Sequence, residues 1–437
     1  MRRPYPAYKD SLFNWLGKIP AHWEEERAKW YFDKIDERSK TGEEELLSVS
    51  HITGVTPRSE KNVTMFQAES YEGHKLCQPG DLVINSMWAW MAALGVSKNA
   101  GIVSSAYGVY RPKTKDLFNP QYLDYLMRIK GYAGEYLCRS KGIWSSRLLL
   151  NPDAFFNIPI VHPPIEDQNA IVAFLEEQTA VINQFLTNKR RLIELLEEQK
   201  QVVINTAVMQ GLDTAVPRKP SGIDWLGDIP AHWETNRVKF VSKKITDCKN
   251  RTPPYFDDGE YFVVRTSNVR NGQLDMTEAL FTNEEGFTEW TRRGVPKVGS
   301  VLFTREAPAG EACMIPPNLN LCLGQRMMSI EPNEDKLLPR FLLYQIYSDL
   351  IKNYITLASA GSTVTHLRVG QVFSLPVLLP PIEEQNRIVE YIDVKMAEIN
   401  TAIERTQSEI ELIEEYRTTL IAHTVTGKID VRLNNPK

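Results

Sequence analysis

The sequence predicts an α/β (α+β) protein made twice over: two related halves, each a globular region followed by one long helix. Three observations predict this. Residues 15–24, WLGKIPAHWE, return at 225–234 as WLGDIPAHWE and differ only at Lys18 and Asp228. A helix-compatible stretch from Ile165 to Gly211 returns from Ile382 to Gly427. Ahead of each helix runs the same series of short apolar segments set off by turn residues. The period exceeds 200 residues, too long for a solenoid of stacked repeats.

The first globular region covers residues 1–164. Trp15, Trp23 and Trp30, with Ile19 and Pro20, read as a packed N-terminal clasp. The return of the pattern at Trp225 and Trp233 favours architecture over base stacking. Strand-like runs follow: ELLSVSHITG (45–54), DLVINSMWAW (81–90) and GIVSSAYGVYRP (101–112). NPQYLDYLMRI (119–129) reads as a helix started at Asn119–Pro120, and AFFNIPIVHPP (154–164) as a strand leading into the first long helix.

That helix, residues 165–213 with its exit, has every expected start and stop signal. Pro163 and Pro164 precede it, Glu166 and Asp167 lie where the helix dipole favours negative charge, and Gly211 sits where a C′ glycine ends a helix. At ~1.5 Å per residue it would be roughly 65–70 Å long. Its apolar residues Ile171, Leu175, Ile182, Phe185, Leu192, Leu196 and Val203 form a heptad-like seam. After a linker, TAVPRKPSG (214–222), the second region covers 214–381 and repeats the order: YFVVRTSNV (261–269), SVLFTREAP (300–308), LCLGQRMMSIEP (321–332), a helix in LLPRFLLYQIYSDLI (337–351) and the strand VFSLPVLLPP (372–381). The distal helix, 382–427, carries a seam at Ile388, Ile392, Ile399, Ile403, Ile410, Ile413 and Leu420, and 428–437 form a tail. Two matching seams most simply bury against each other. The flanks of the repeats agree, whereas 85–105 and 304–325 scarcely resemble one another. Two similar frames therefore carry two different surfaces.

Composition bounds the function. With 437 residues, 42% hydrophobic and 24% charged, the chain is ordinary globular material. It shows no membrane-length apolar run and no signal-peptide core in MRRPYPAYKD. Cys77, Cys138, Cys248, Cys313 and Cys322 lack CxxC spacing and read as reduced thiols of a cytoplasmic protein. Net charge is −4, but 166–213 carries −4 and 383–430 carries −6, leaving +6 for the rest. Acid lies on the helices and base on the globular parts, which suits a polyanion partner.

Catalytic signatures are missing: there is no GxGxxG, no Walker A loop and no HExxH or paired-histidine metal spacing. NPDAFF (151–156) departs from an amino-methyltransferase NPPF loop at Asp153. A PD…ExK nuclease pattern would need Glu198-Gln199-Lys200, which lies in the long helix. The expectation is a reader without catalytic or metal-binding residues.

The PPIEEQNRIV opening and its PPIEDQNAIV copy, WLGxIPAHWE in both halves, and GSTVTHL (361–367) before LPVLLPPIEEQ resemble the specificity subunit of type I restriction–modification systems. The resemblance spans essentially the whole chain, and the duplicated order is its specific part. It implies two target-recognition domains joined by two antiparallel long helices in a pseudo-twofold internal repeat. Each domain would read one half of a bipartite, asymmetric double-stranded DNA target, and the helices would set the spacer. Two methylation subunits and two restriction subunits would be the partners. S-adenosylmethionine, ATP and Mg²⁺ would belong to them, with no cofactor in this chain and no membrane contact. A departure lies at 141–150, where KGIWSSRLLL stands in place of the AGSTVTHL of 360–367. The rival reading is a helical scaffold whose globular domains bind proteins.

Sequence readout needs paired donors or acceptors on loops: arginine for guanine, asparagine or glutamine for adenine. In the second domain the candidates are Arg265, Thr266, Ser267 and Asn268 after YFVV, Arg305 and Glu306 after SVLF, Gln325 and Arg326 in LGQR, and Ser362, Thr363 and His366. In the first they are His51 and Thr53, then Asn85, Ser86, Trp88 and Trp90, then Lys141, Ser145, Ser146 and Arg147, with Arg147 the strongest.

Overall fold

The structure, a computed structural model, describes residues 4–61, 70–142, 148–249, 251–359 and 366–432. It divides into two compact units: Met1–Lys189 with Ser408–Lys437, and Arg190–Gln407. The first long helix spans Ile165–Gln210 and the second Ile382–Val425. Each starts in the unit of the globular region before it and ends in the other.

Within each unit the two helix segments pair antiparallel. In the first, Lys189 meets Glu409 at 2.6 Å and Asn183 meets Arg417 at 3.3 Å, so one number falls as the other rises. In the second, Ala207 and Val208 share a buried core with Ile388 and Ile392. The seam is buried at Ile171, Leu175, Ile182, Ile388, Ile392, Ile399, Ile410 and Leu420. It departs from expectation at Leu192, 39% exposed in the largely exposed middle of the helix, and at Phe185, which is 38% exposed while the adjacent Leu186 is 3% exposed. The reason at Phe185 is period. A 3.5-residue seam drifts on a helix of 3.6 residues per turn, so the buried face moves later along the chain. Ile171 and Ala207, both buried, are about ten turns apart at 3.6 residues each.

In the first unit a four-stranded antiparallel sheet runs in the order Phe32–Ile35, Gly108–Pro112, Leu82–Ile84, Leu94–Val96. The run 45–54 becomes half of a hairpin, Leu47–Ser50 against Gly54–Pro57. Asn119 caps Pro120–Met127 by accepting from the amides of Gln121 and Tyr122, and Lys130–Arg139 follows as a second helix. The expected strand over 154–164 is instead a short helix, Pro152–Phe156, then a strand, Pro159–His162. Proline as the first helical residue after an asparagine cap starts that helix, and sequence periodicity over so few residues could not separate the two.

The second unit repeats this order with a four-stranded sheet, Ser242–Asp247, Met327–Pro332, Val301–Thr304, Ala312–Met314. Beside it Tyr261–Val264 pairs antiparallel with Phe281–Thr282 and parallel with Leu321–Leu323. The helix expected within 337–351 is two helices, Pro339–Tyr347 and Asp349–Ala358.

The clasp joins helix ends. Trp23, Ile19 and Trp233 are fully buried, whereas Trp30 is 62% exposed, with Lys29 over its ring. In the first unit Asp167 accepts from Trp23 Nε1 and pairs with His22 Nε2, both at 2.8 Å. In the second, Glu384 pairs with His232 at 2.8 Å. Gly427 lies against Pro20 and Trp23, where a Cβ would come within 2.4 Å of the proline ring, and Gly211 lies against Trp233. Each clasp thus holds the start of one long helix and the end of the other.

Candidate nucleic-acid interface

In the second unit the strands Ser242–Asp247, Tyr261–Val264, Val301–Thr304 and Leu321–Leu323 all deliver their following loops to one rim. Backbone bonds tie these loops together. Gly324 donates to Val264 O at 2.8 Å, Arg305 to Arg326 O at 2.9 Å, and Leu367 to Arg305 O at 3.0 Å. Arg326 N donates to Cys248 Sγ at 3.1 Å. Most of the described candidates therefore meet in one place: Arg265 to Asn268, Arg305, Glu306, Gln325, Arg326 and His366. Ser362 and Thr363 lie outside the described residues.

Their roles differ. Arg305 is only 8% exposed; its guanidinium lies 3.4 Å from Asp247 and donates to Leu367 O, so it ties loops together. Asn268 is also buried. Its side chain accepts from Arg265 N and donates to Asp275 O, building the turn that follows YFVV. Arg265 donates to Glu278 O at 2.7 Å. Thr266 is partly exposed and Ser267 and Gln325 are exposed. Arg326 and His366 both hold Glu306, at 2.9 and 2.6 Å.

A cationic strip adjoins this rim that the candidates did not include. Lys249 and Arg292 pair with Glu289, Arg293 donates to Cys248 O at 2.8 Å, and Trp290 donates to Arg251 O at 3.0 Å with Lys249 4.7 Å from its ring. The sequence signal was there in KNR (249–251) and TRR (291–293). Neither follows an apolar strand-like run of the kind used to choose loops at the rim.

The first unit presents other chemistry. Asn85 follows its strand and is buried, donating to Tyr107 Oη at 3.0 Å. Ser86 O accepts from Leu150 N at 3.0 Å, the counterpart of the Leu367–Arg305 bond. Trp88 and Trp90 stack with ring centroids 5.8 Å apart; Met87 and Trp88 are exposed, and Trp90 is partly so. Lys141 bridges to Leu149 and is exposed. Ser145, Ser146 and Arg147 lie outside the described residues. His51 and Thr53 sit on a separate hairpin turn, where Arg128 grips the carbonyls of His51 and Ile52 at 3.0 and 2.7 Å. That turn borders a cleft of about 1060 Å³ within the first unit, also lined by Trp15, Lys130, Arg417 and Lys428. One rim is aromatic and the other cationic.

Among the described residues no group of three or more His, Cys, Asp or Glu side chains could hold a metal ion. Among the described residues no helix is long and apolar enough to cross a membrane.

Residues 230–412 match the family model for the type I restriction modification DNA specificity domain. The chain is 26% identical over 324 residues to a putative type I restriction enzyme MjaX specificity subunit of Methanocaldococcus jannaschii, covering 73% of this chain and 70% of that one. It is 25% identical over 337 residues to the MjaVIII specificity subunit of the same organism, covering 76% and 75%. Residues 230–412 thus match a type I restriction modification DNA specificity domain, and the chain is similar to type I restriction enzyme specificity subunits over about three quarters of its length. Its fold agrees. The HsdS subunit from Thermoanaerobacter tengcongensis aligns with a TM-score of 0.54 at 19% identity, over 94% of this chain and 98% of that one. A chain from a structure of type I restriction–modification complex assembly and conformational transition aligns with a TM-score of 0.65 at 18% identity, over 94% and 99%. The model-matched segment begins at Pro230, inside the second clasp, and runs past the cationic rim into the second long helix.

Proposed function

We propose that this chain selects a bipartite, asymmetric sequence in double-stranded DNA, one half-site for each globular region, and carries no catalytic group of its own. The observation that supports this best is the pairing of repeated frames with unlike rims, cationic around Arg326 and aromatic around Trp88. Repetition gives two reading heads of one design, and divergence gives two different half-sites. Base edges specify and phosphates position. The strip of Lys249, Arg251, Arg292 and Arg293 suits phosphates, whereas Arg326, Gln325, Ser267, Ser86, Trp88 and Lys141 are candidates to approach bases or their flanking backbone.

The long helices carry net acid, which disfavours contact with phosphate and leaves their outer faces to protein. Two methylation subunits and two restriction subunits are the partners in this reading. S-adenosylmethionine, ATP and Mg²⁺ act there, in adenine methylation and in ATP-dependent cleavage. Single-molecule sequencing of adenine methylation in a host strain with and without this chain tests the proposal. Loss of one bipartite motif on removal is the expected result; an unchanged methylome in a strain whose methylation subunits are active contradicts it.

A further inference from the structure

We infer that Arg326 reads a guanine in the half-site of the second globular region, and that Glu306, itself held by His366, aims it. The inference rests on the DNA-reading function proposed above and assigns one base contact within it.

Three features carry it. First, the backbone at Arg326 has φ +71°, the left-handed region that side chains rarely adopt. Arg326 N is fixed on Cys248 Sγ and its carbonyl on Arg305 N, so the conformation is imposed from both sides. Second, the guanidinium is paired at Nε, with Glu306 Oε2 at 2.9 Å, and the side chain is 44% exposed. That pairing leaves the two terminal amino groups as a fork, the geometry that matches O6 and N7 of guanine. Third, Glu306 is anchored twice more, by His366 Nδ1 on Oε1 at 2.6 Å and by a backbone bridge between residues 306 and 366.

The carboxylate also separates two possible partners. A phosphate brought to Arg326 would meet the negative charge of Glu306 at close range, whereas a guanine edge offers neutral acceptors. Phosphate contacts fall to the adjoining strip, where three cations, Lys249, Arg251 and Arg292, gather around the single carboxylate of Glu289 and leave a net positive charge. Arg305 is its neighbour's opposite: the same residue type, one position before Glu306, but buried on Asp247.

The test is selection of duplexes from a pool randomised at both half-sites, using the full chain and its R326A, R326K and E306Q variants. The wild-type chain should enrich two half-sites. R326A and R326K should lose guanine preference at one position of one half-site, roughly ten- to a hundredfold, with the other half-site unchanged. E306Q should broaden that same position and leave its neighbours alone, which a general loss of folding would not do. Replacing that guanine by 7-deazaguanine, which lacks the N7 acceptor, should weaken the wild-type chain about tenfold or more and R326A hardly at all. This arm needs no altered protein fold in the wild-type measurement. If the wild-type chain selects two half-sites and R326A keeps every base preference, or weakens on all sequences alike, this assignment fails and the function stands. If the wild-type chain enriches no sequence, both fall.

Discussion

Asp167 and Glu384 occupy the same place in the two copies and differ by one methylene. The shorter Asp167 accepts from both His22 and Trp23, whereas Glu384 pairs with His232 and leaves the buried Trp233 Nε1 among the polar atoms without a partner. Trp23 and Trp233 are otherwise alike, each fully buried between clasp and helix end. Trp23→Phe removes a buried hydrogen bond to a carboxylate, which is worth about 1.5–3 kcal/mol. Trp233→Phe removes an unpaired N–H and loses packing alone. We expect W23F to cost at least about 1 kcal/mol more than W233F in urea unfolding; equal costs, or the reverse order, would sink the account. At this scale the sequence was partly legible. The repeated WLGxIPAHWE announced a structural unit, but which tryptophan is inside depended on partners more than a hundred residues away. The same holds for arginine: Arg305 and Arg326 are equally plausible readers by position after a strand, and only the fold separates the buried one from the exposed one.

At the scale of elements, the helix-start motif has a physical explanation in its glutamine. Gln168 is fully buried; it donates to Pro163 O and Leu117 O and accepts from Asn119 N. Gln385 does the same with Pro380 O, Lys336 O and Leu338 N. Each side chain ties the first turn of a long helix to the loop that starts the preceding helix pair. Nothing in the residues of PPIEDQN or PPIEEQN singles out that glutamine, because its three partners lie on backbone that the sequence does not mark. Gln385→Ala would leave two carbonyls and an amide without their partner in the core. Each such group costs about 1–3 kcal/mol when water cannot replace the bond. A loss of several kcal/mol in the stability of the second unit is the expected result, by chemical denaturation, against a change below about 0.5 kcal/mol for Gln184→Ala on the exposed helix face. Similar effects at both positions would show that the glutamine is incidental. The long helices themselves were the most legible elements, with ends signalled by proline, acid and glycine; the seam slipped by one residue at Phe185, where a 3.5 period was read onto a 3.6 helix, and failed at Leu192, which lies exposed in the middle of the helix.

At the scale of the whole molecule, the first long helix is the chain's passage from one compact unit to the next, and the second long helix is the passage back. Between Thr187 and Gln199 the first helix is largely exposed, whereas Gln201 and Asn205 are bonded to Tyr347 and Asp349 of the second unit. Length in that middle stretch can change without touching either rim. Four residues added just before Lys200, matched by four in the second helix between Glu398 and Gln407 to keep the antiparallel pairs in step, lengthen both helices by about 6 Å. Along B-DNA, at roughly 3.4 Å per base pair, that is one to two base pairs. The preferred spacer of the target should therefore grow by about that amount, while both half-sites stay as they were. Selection from a pool of duplexes with variable spacers measures both quantities in one experiment. A changed half-site, or an unchanged spacer in a variant that still selects DNA, would mean that the helices do not set the distance. The two units would then be positioned by the protein partners, and the repeat would serve assembly and not measurement.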